Sequence, residues 1–200
     1  MGRTAANSRA TADFYTLKAK REGYPARSVY KLEEIDNKFN LIGKNSKILD
    51  VGAAPGSWSL YTLKKIGSGG FLCSVDLNPM TIKATSNSLF LQGDAFSEQV
   101  VKQILLHAPY DGVICDAAPL TTGNRLVDSS ASSALVEEVI DLSKKVVKPK
   151  GFLVVKIFQG GDEQRLFKLV SEIYTQCKKL KPKACRSESF ESYIIGLDLK

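Results

Sequence analysis

Two hundred residues, 44% of them apolar and 24% charged, describe a globular chain able to bury a sizeable core, which excludes fibrous and disordered readings. No uncharged stretch approaches the roughly 18 apolar residues of a membrane span, and MGRTAANSRATADFY has no apolar segment behind its basic residues, so a cytoplasmic protein without a secretory signal is expected. The net charge of +7 is uneven: residues 1–47 hold ten Lys/Arg against five Asp/Glu, residues 176–187 (QCKKLKPKACRS) add five cations and no acid, and the rest is left at −3.

If those two basic regions meet in space they form one patch suited to a polyanion, since phosphate neutralisation supplies most non-specific nucleic-acid affinity; two solvated faces are the plainer alternative. Taken in chain order, residues 11–22 and 27–38 read as helices, the second with Val29, Tyr30, Leu32, Ile35 and Phe39 at near-helical spacing. From Lys47 onward short apolar runs alternate with amphipathic segments, the rhythm of a parallel α/β sheet. Strands are expected at about 47–53, 70–77, 89–94, 111–116 and 151–158, with helices at about 57–66, 97–106, 130–147 and 162–175. Two further strands, about 178–185 and 192–199, have no helix between them, so they should form an antiparallel hairpin and bring the count to seven. Lys179, Lys181 and Lys183 would line one side of an edge strand. The sequence is read as one domain, a basic helical extension over 1–46 followed by a core over 47–200.

The segment DVGAAPGSW (50–58) leaves the first strand and opens a helix, the place where open α/β sheets bind nucleotides. Gly52 and Gly56 permit close approach of backbone and ligand. The dinucleotide fingerprint needs glycine where Ala54 stands, and Pro55 removes an N–H that a pyrophosphate would use. An adenosine ligand without pyrophosphate fits better, S-adenosylmethionine being the commonest. Asp50 can orient loop amides or meet the ligand's ammonium group. Asp76, at the end of the second strand, can accept from both ribose hydroxyls, a feature that NAD-linked oxidoreductases share. Asp94, in QGDAF, can accept from an adenine amino group or cap the helix beginning near Ser97. Trp58, the only tryptophan, either packs in the core or shapes the cosubstrate pocket.

Asp116 ends the fourth strand in CDAAP, and Lys156 stands inside the apolar run VVKIF, where a lysine is costly to bury without a partner and a purpose. A lysine in a partly dry site beside a second cation can serve as base toward a weakly acidic hydroxyl. Lys31 offers that cation, and Glu191 a second carboxylate. Cysteines 73, 115, 177 and 185 form no CxxC pair and the chain has one histidine, His107, so no metal site and no disulfide framework is expected, only free, buried thiols.

ARSVYKLEEID, LDVGAAPGSWS, DLNPM, FLQGDAF, DAAP, VVKIFQG and ESYII, in this order from about Phe14 to the C-terminus, resemble the FtsJ-like 2′-O-ribose RNA methyltransferases. That resemblance implies a Rossmann-like methyltransferase sheet and a Lys-Asp-Lys-Glu tetrad at Lys31, Asp116, Lys156 and Glu191, with Lys156 as proton acceptor. It places cosubstrate contacts at Gly56, Trp58, Asp76, Asp94 and Asp116. Glu188 rivals Glu191 in RSESFESYII, but Glu191 has the family's Tyr-Ile at the right distance. Two positions depart from the family pattern, Ser57 for a usual glycine and Leu120 for a usual asparagine. The implied reaction is methylation of a ribose 2′-hydroxyl in RNA, which DNA lacks, most naturally at a uridine of large-subunit ribosomal RNA. Transfer RNA is the alternative substrate, and a non-catalytic RNA-binding relative the alternative class. S-adenosyl-L-methionine is then the cosubstrate, and a monomer acting on the large ribosomal subunit, with no membrane, DNA or metal partner, is expected.

Overall fold

The computed structural model describes residues 14–160, 162–186 and 189–200. The start expected for the first helix, Arg3 and Arg9 of the basic N-terminus, and Glu188 all lie outside these residues. Two helices, α1 (Phe14–Arg21) and α2 (Val29–Phe39), precede β1 (Lys47–Val51), α3 (Ser57–Ile66), β2 (Phe71–Asp76), β3 (Ser88–Gln92), α4 (Glu98–Leu105) and β4 (Tyr110–Cys115). Then come α5 (Arg125–Val146), β5 (Val147–Phe158), α6 (Glu163–Ile173), β6 (Tyr174–Leu180) and β7 (Glu191–Leu199).

The seven strands form one sheet in the order β3-β2-β1-β4-β5-β7-β6. β1 to β5 run parallel, while β7 is antiparallel to both β5 and β6. The strand order reverses between β1 and β4, which opens a crevice at their carboxyl ends. Because β5 is covered on both faces, its run from Phe152 to Phe158 is apolar except for Lys156. Leu153, Val155 and Ile157 pack toward α5 and α6, and Phe152 and Val154 toward α2 and α3. Lys156 and Phe158 share the latter face by the two-residue period of a strand. The N-terminal helices are part of that layer, with Ala19, Val29, Leu32 and Ile35 buried against Ile48 and Trp58.

Three boundaries differ from expectation for local reasons. α5 begins at Arg125 rather than near 130, because the Asn124 side chain accepts from the amides of Leu126 and Val127 and Asp128 ties back to Thr122 and Gly123. β6 begins at Tyr174, whose buried ring sits over Gly196 of β7, and ends at Leu180. Of the three lysines expected along the edge strand, therefore, only Lys179 lies on it, paired with Glu163 at 3.2 Å, and Lys181 and Lys183 follow in the connection. None of the described helices is long and apolar enough to cross a membrane.

Candidate active site

The loop after β1 is shaped by glycine. Gly52 has φ +73°, and its amide donates to the Val75 carbonyl at 2.8 Å. A Cβ there would run into the Cβ of Ala117 and stand 2.7 Å from its Cα, so the loops leaving β1 and β4 touch at this point. Gly56, with φ +115°, is the residue before α3. Ser57, one of the departures from the family pattern, accepts the Ala26 amide at 2.7 Å and fastens this loop to the entry of α2.

Outside the carboxyl ends of β1, β2 and β4 lies a cavity of about 560 Å³, a size that suits a nucleoside-sized ligand. Gly52, Asp76, Asp94 and Asp116 line it. Asp76 accepts the Ala54 amide (2.9 Å) with one oxygen and the Asn78 amide (2.7 Å) with the other, which fixes the carboxylate and leaves lone pairs for a diol. Asp94 is exposed, and one of its oxygens accepts from Phe96. It is not the helix cap: Ser97 fills that role for α4, accepting from Val100. The charged side chains lining the cavity are Asp76, Asp94, Asp116 and Glu138, with no lysine or arginine, and Val51, Val75, Ala95 and Phe96 supply apolar surface. Such walls suit a cationic, adenosine-bearing ligand and oppose a pyrophosphate. S-adenosylmethionine, with its sulfonium and ammonium charges, fits them.

Three residues expected at the cosubstrate stand elsewhere. Asp50 is wholly buried beneath the loop, one oxygen accepting from Ser59 at 2.6 Å and the other without a partner. Burial pushes its carboxyl up to about 7. Gly56 is directed at Ile82 rather than into the cavity. Trp58, in the first turn of α3, points toward α2: its indole N–H donates to the Ser28 carbonyl at 2.9 Å and its ring lies 5.8 Å from that of Tyr193.

At the β4 end of the cavity four charged side chains come together from distant parts of the chain. Lys31 of α2 reaches Glu191 of β7 at 2.6 Å. Lys156, 9% exposed, donates to the main-chain carbonyl of Asp116 at 2.5 Å and lies 3.3 Å from its carboxylate. Burial works against the charge on Lys31, but Asp116 and Glu191 outweigh it and hold its ammonium above the ordinary lysine range. Glu191 is the mirror case: burial would raise it, and Lys31 brings it below the ordinary glutamate range. Cys185, its thiol pushed up to about 12 by burial and by Glu191, is not a nucleophile. It is one of four free thiols, of which Cys177 alone is only partly buried.

The sequence reading missed Tyr193. Its hydroxyl, fully buried, donates to the Asp116 carboxylate at 2.6 Å, and burial keeps it protonated. The signal was available, since Tyr193 stands two residues beyond Glu191 and a strand puts both on one face. The two basic regions also meet: Arg27 donates to the Ala184 carbonyl at 2.6 Å, and Glu34 accepts the Lys183 amide at 2.8 Å. Among the described residues no group of three His, Cys, Asp or Glu side chains is arranged around a metal position.

Residues 24–199 match the sequence profile of the FtsJ-like methyltransferases. A Treponema denticola protein named ribosomal RNA large subunit methyltransferase E is 48% identical over 197 residues, covering 98% of this chain and 99% of its own. A protein of the same name from Borrelia garinii subsp. bavariensis is 50% identical over 184 residues, covering 92% and 95%. Among solved structures, Aeropyrum pernix fibrillarin with natively bound S-adenosyl-L-methionine superposes with a TM-score of 0.64 at 15% identity, over 85% of this chain and 76% of its own, a likeness of fold. With the profile spanning nearly the whole chain and relatives this close, the protein belongs to the FtsJ-like methyltransferase family.

Proposed function

We propose that this protein transfers the methyl group of S-adenosylmethionine to the ribose 2′-oxygen of a uridine in large-subunit ribosomal RNA, acting as a cytoplasmic monomer on the RNA within the subunit. The observation that carries the reaction is the Lys31, Asp116, Lys156, Glu191 cluster at the rim of a cavity with acidic walls. The names of the close relatives favour ribosomal over transfer RNA.

When bound, S-adenosylmethionine supplies an electrophilic methyl on a sulfonium. Asp76 and Asp94 hold the adenosine portion, and Asp116, at the other end of the cavity, keeps the reacting end beside Lys156. An uncharged amine has two N–H bonds and one lone pair. Lys156 donates one hydrogen bond to the Asp116 carbonyl and lies 3.3 Å from its carboxylate, which holds the amine at this place beside the incoming hydroxyl. Lys156 then takes the 2′-hydroxyl proton as the C–O bond forms, and the sulfur leaves with the electrons of its bond to the methyl. Lys31, kept charged by Asp116 and Glu191, fixes the Glu191 carboxylate at the edge of the cluster. Arg27, Lys181, Lys183 and Arg186 form the strand-gripping surface next to this cluster. No step calls for a metal, and activity is expected to survive a strong chelator.

The test is transfer of labelled methyl to undermodified large ribosomal subunits, total transfer RNA and DNA, side by side. Label at a ribose of the ribosomal RNA supports the reading. Label in transfer RNA alone overturns the substrate, and no transfer to any of the three despite cosubstrate binding overturns the function.

A further inference from the structure

A group of side chains at the same end of the sheet is not used by the reaction. Phe158 lies two residues past Lys156 on β5 and is paired with Glu191 in the β5–β7 register. Phe190, immediately before Glu191, sets its ring against Phe158 with centroids 4.7 Å apart and planes inclined by 58°. Its carbonyl accepts the Gln159 amide at 2.7 Å, which fixes the backbone that carries the ring. The guanidinium of Arg125 stands 5.4 Å from the Phe190 centroid, and its Nε donates to the Gln159 carbonyl at 3.4 Å. Phe158 is buried, Phe190 only partly so, and Arg125 is exposed.

Its place on the helix does not account for Arg125. It opens α5, where a cation opposes the helix macrodipole, and among the described residues no carboxylate pairs with it. An aromatic ring with a solid backing, a planar cation at its outer face and a hydroxyl-methylating centre beside it are the parts of a base-stacking platform. Unpaired RNA bases are held in this way, on aromatic rings and guanidinium planes. The placement is suitable, because Phe158, which backs the ring, stands two residues or roughly 6.6 Å along β5 from Lys156, so Phe190 lies close to the reacting centre.

We propose that Phe190, with Arg125, receives a nucleobase of the RNA adjoining the methylated ribose, and so positions the 2′-hydroxyl and contributes to the choice of site. This rests on the reading of the chain as an RNA 2′-O-methyltransferase. The guanidinium is too close for a base to enter between it and the ring, so it swings outward and closes over the base or its phosphate.

The experiment measures kcat and KM for undermodified large ribosomal subunits with Phe190→Ala, Phe190→Leu, Phe190→Trp and Arg125→Ala, alongside cosubstrate affinity and Tm. With one stacked base lost, KM should rise roughly tenfold in the alanine and leucine variants and return toward the wild-type value with tryptophan. Arg125→Ala should raise KM by a smaller factor and lower the salt slope of RNA binding by about one, which Phe190→Ala should not do. Cosubstrate affinity and Tm should hold in all four. Wild-type KM in Phe190→Leu would reduce the ring to packing and overturn the proposal, as would a loss that tryptophan does not repair. Failure of the wild-type protein to methylate any RNA would overturn the underlying function instead.

Discussion

The two ends of the crevice are built on different principles. At the β1–β2–β3 end the shape is made by backbone: Gly52 at positive φ, a loop pressed on Ala117, and carboxylates of Asp76 and Asp94 turned to an open cavity. At the β4–β5–β7 end the shape is made by side chains, in a nearly dry cluster where each charge is fixed by another. The first arrangement adapts a common sheet to a common ligand. The second holds four charged side chains against one another with almost no solvent between them, and it tolerates less.

That contrast can be broken at either end, and the largest effect belongs to the charged cluster. Lys156→Ala should lower methyl transfer by about a thousandfold or more while cosubstrate affinity, measured by calorimetry, changes little. Retained turnover would remove Lys156 from its role. Gly52→Ala should act on the other end: strain at positive φ and the clash with Ala117 together cost about 1–3 kcal/mol, read as weaker cosubstrate binding with the RNA KM unchanged. Tyr193→Phe sharpens the comparison, because it removes one hydrogen bond to Asp116 and nothing from the cavity wall. Such a bond to a charged group is worth about 1.5–3 kcal/mol, so kcat should fall by roughly ten- to a hundredfold with cosubstrate affinity intact.

The last effect leaves turnover aside and concerns pH and stability. Asp50 holds its proton in the folded state up to about pH 7, whereas in the unfolded chain it ionises near 4. Between those values the folded state binds more protons, so this group's contribution to stability falls as pH rises and is flat above 7. Asp50→Asn should therefore gain on the wild type by a few kcal/mol between pH 5 and pH 8, measured by urea unfolding without ligand. A pH-independent difference would show Asp50 ionised in the fold. Glu191 runs the opposite way, its stabilising pair with Lys31 being lost only as pH falls below the ordinary glutamate range of about 4.3.

Much of this was legible beforehand, and the parts that were not share a cause. The central strands are legible because burial on two faces leaves a clear trace in composition, and the antiparallel pair because no helix stands between the last two strands. The tetrad residues come together as the motifs implied. What escaped depends on where a side chain turns rather than on what it is. Trp58 and Gly56 sit in the right motif yet face α2 and Ile82, and Asp50 lies under the loop instead of in it. Tyr193 shares a strand face with Glu191, but the carboxylate it serves is 77 positions away, so its partner is set by the fold and not by the motif. The start of α5 was missed because Asn124 and Asp128 act through hydrogen bonds that hydrophobic periodicity does not register.

The position of β7 has a consequence for how the protein comes into being. This strand is synthesised after β5 and β6 yet lies between them. A ribosome that has reached only residue 189 has made every residue that lines the cavity but neither Glu191 nor Tyr193, and β5 has an open flank where β7 will pair. Every residue that lines the cavity is thus present early, while the charged cluster is completed only when β7 slides into the gap.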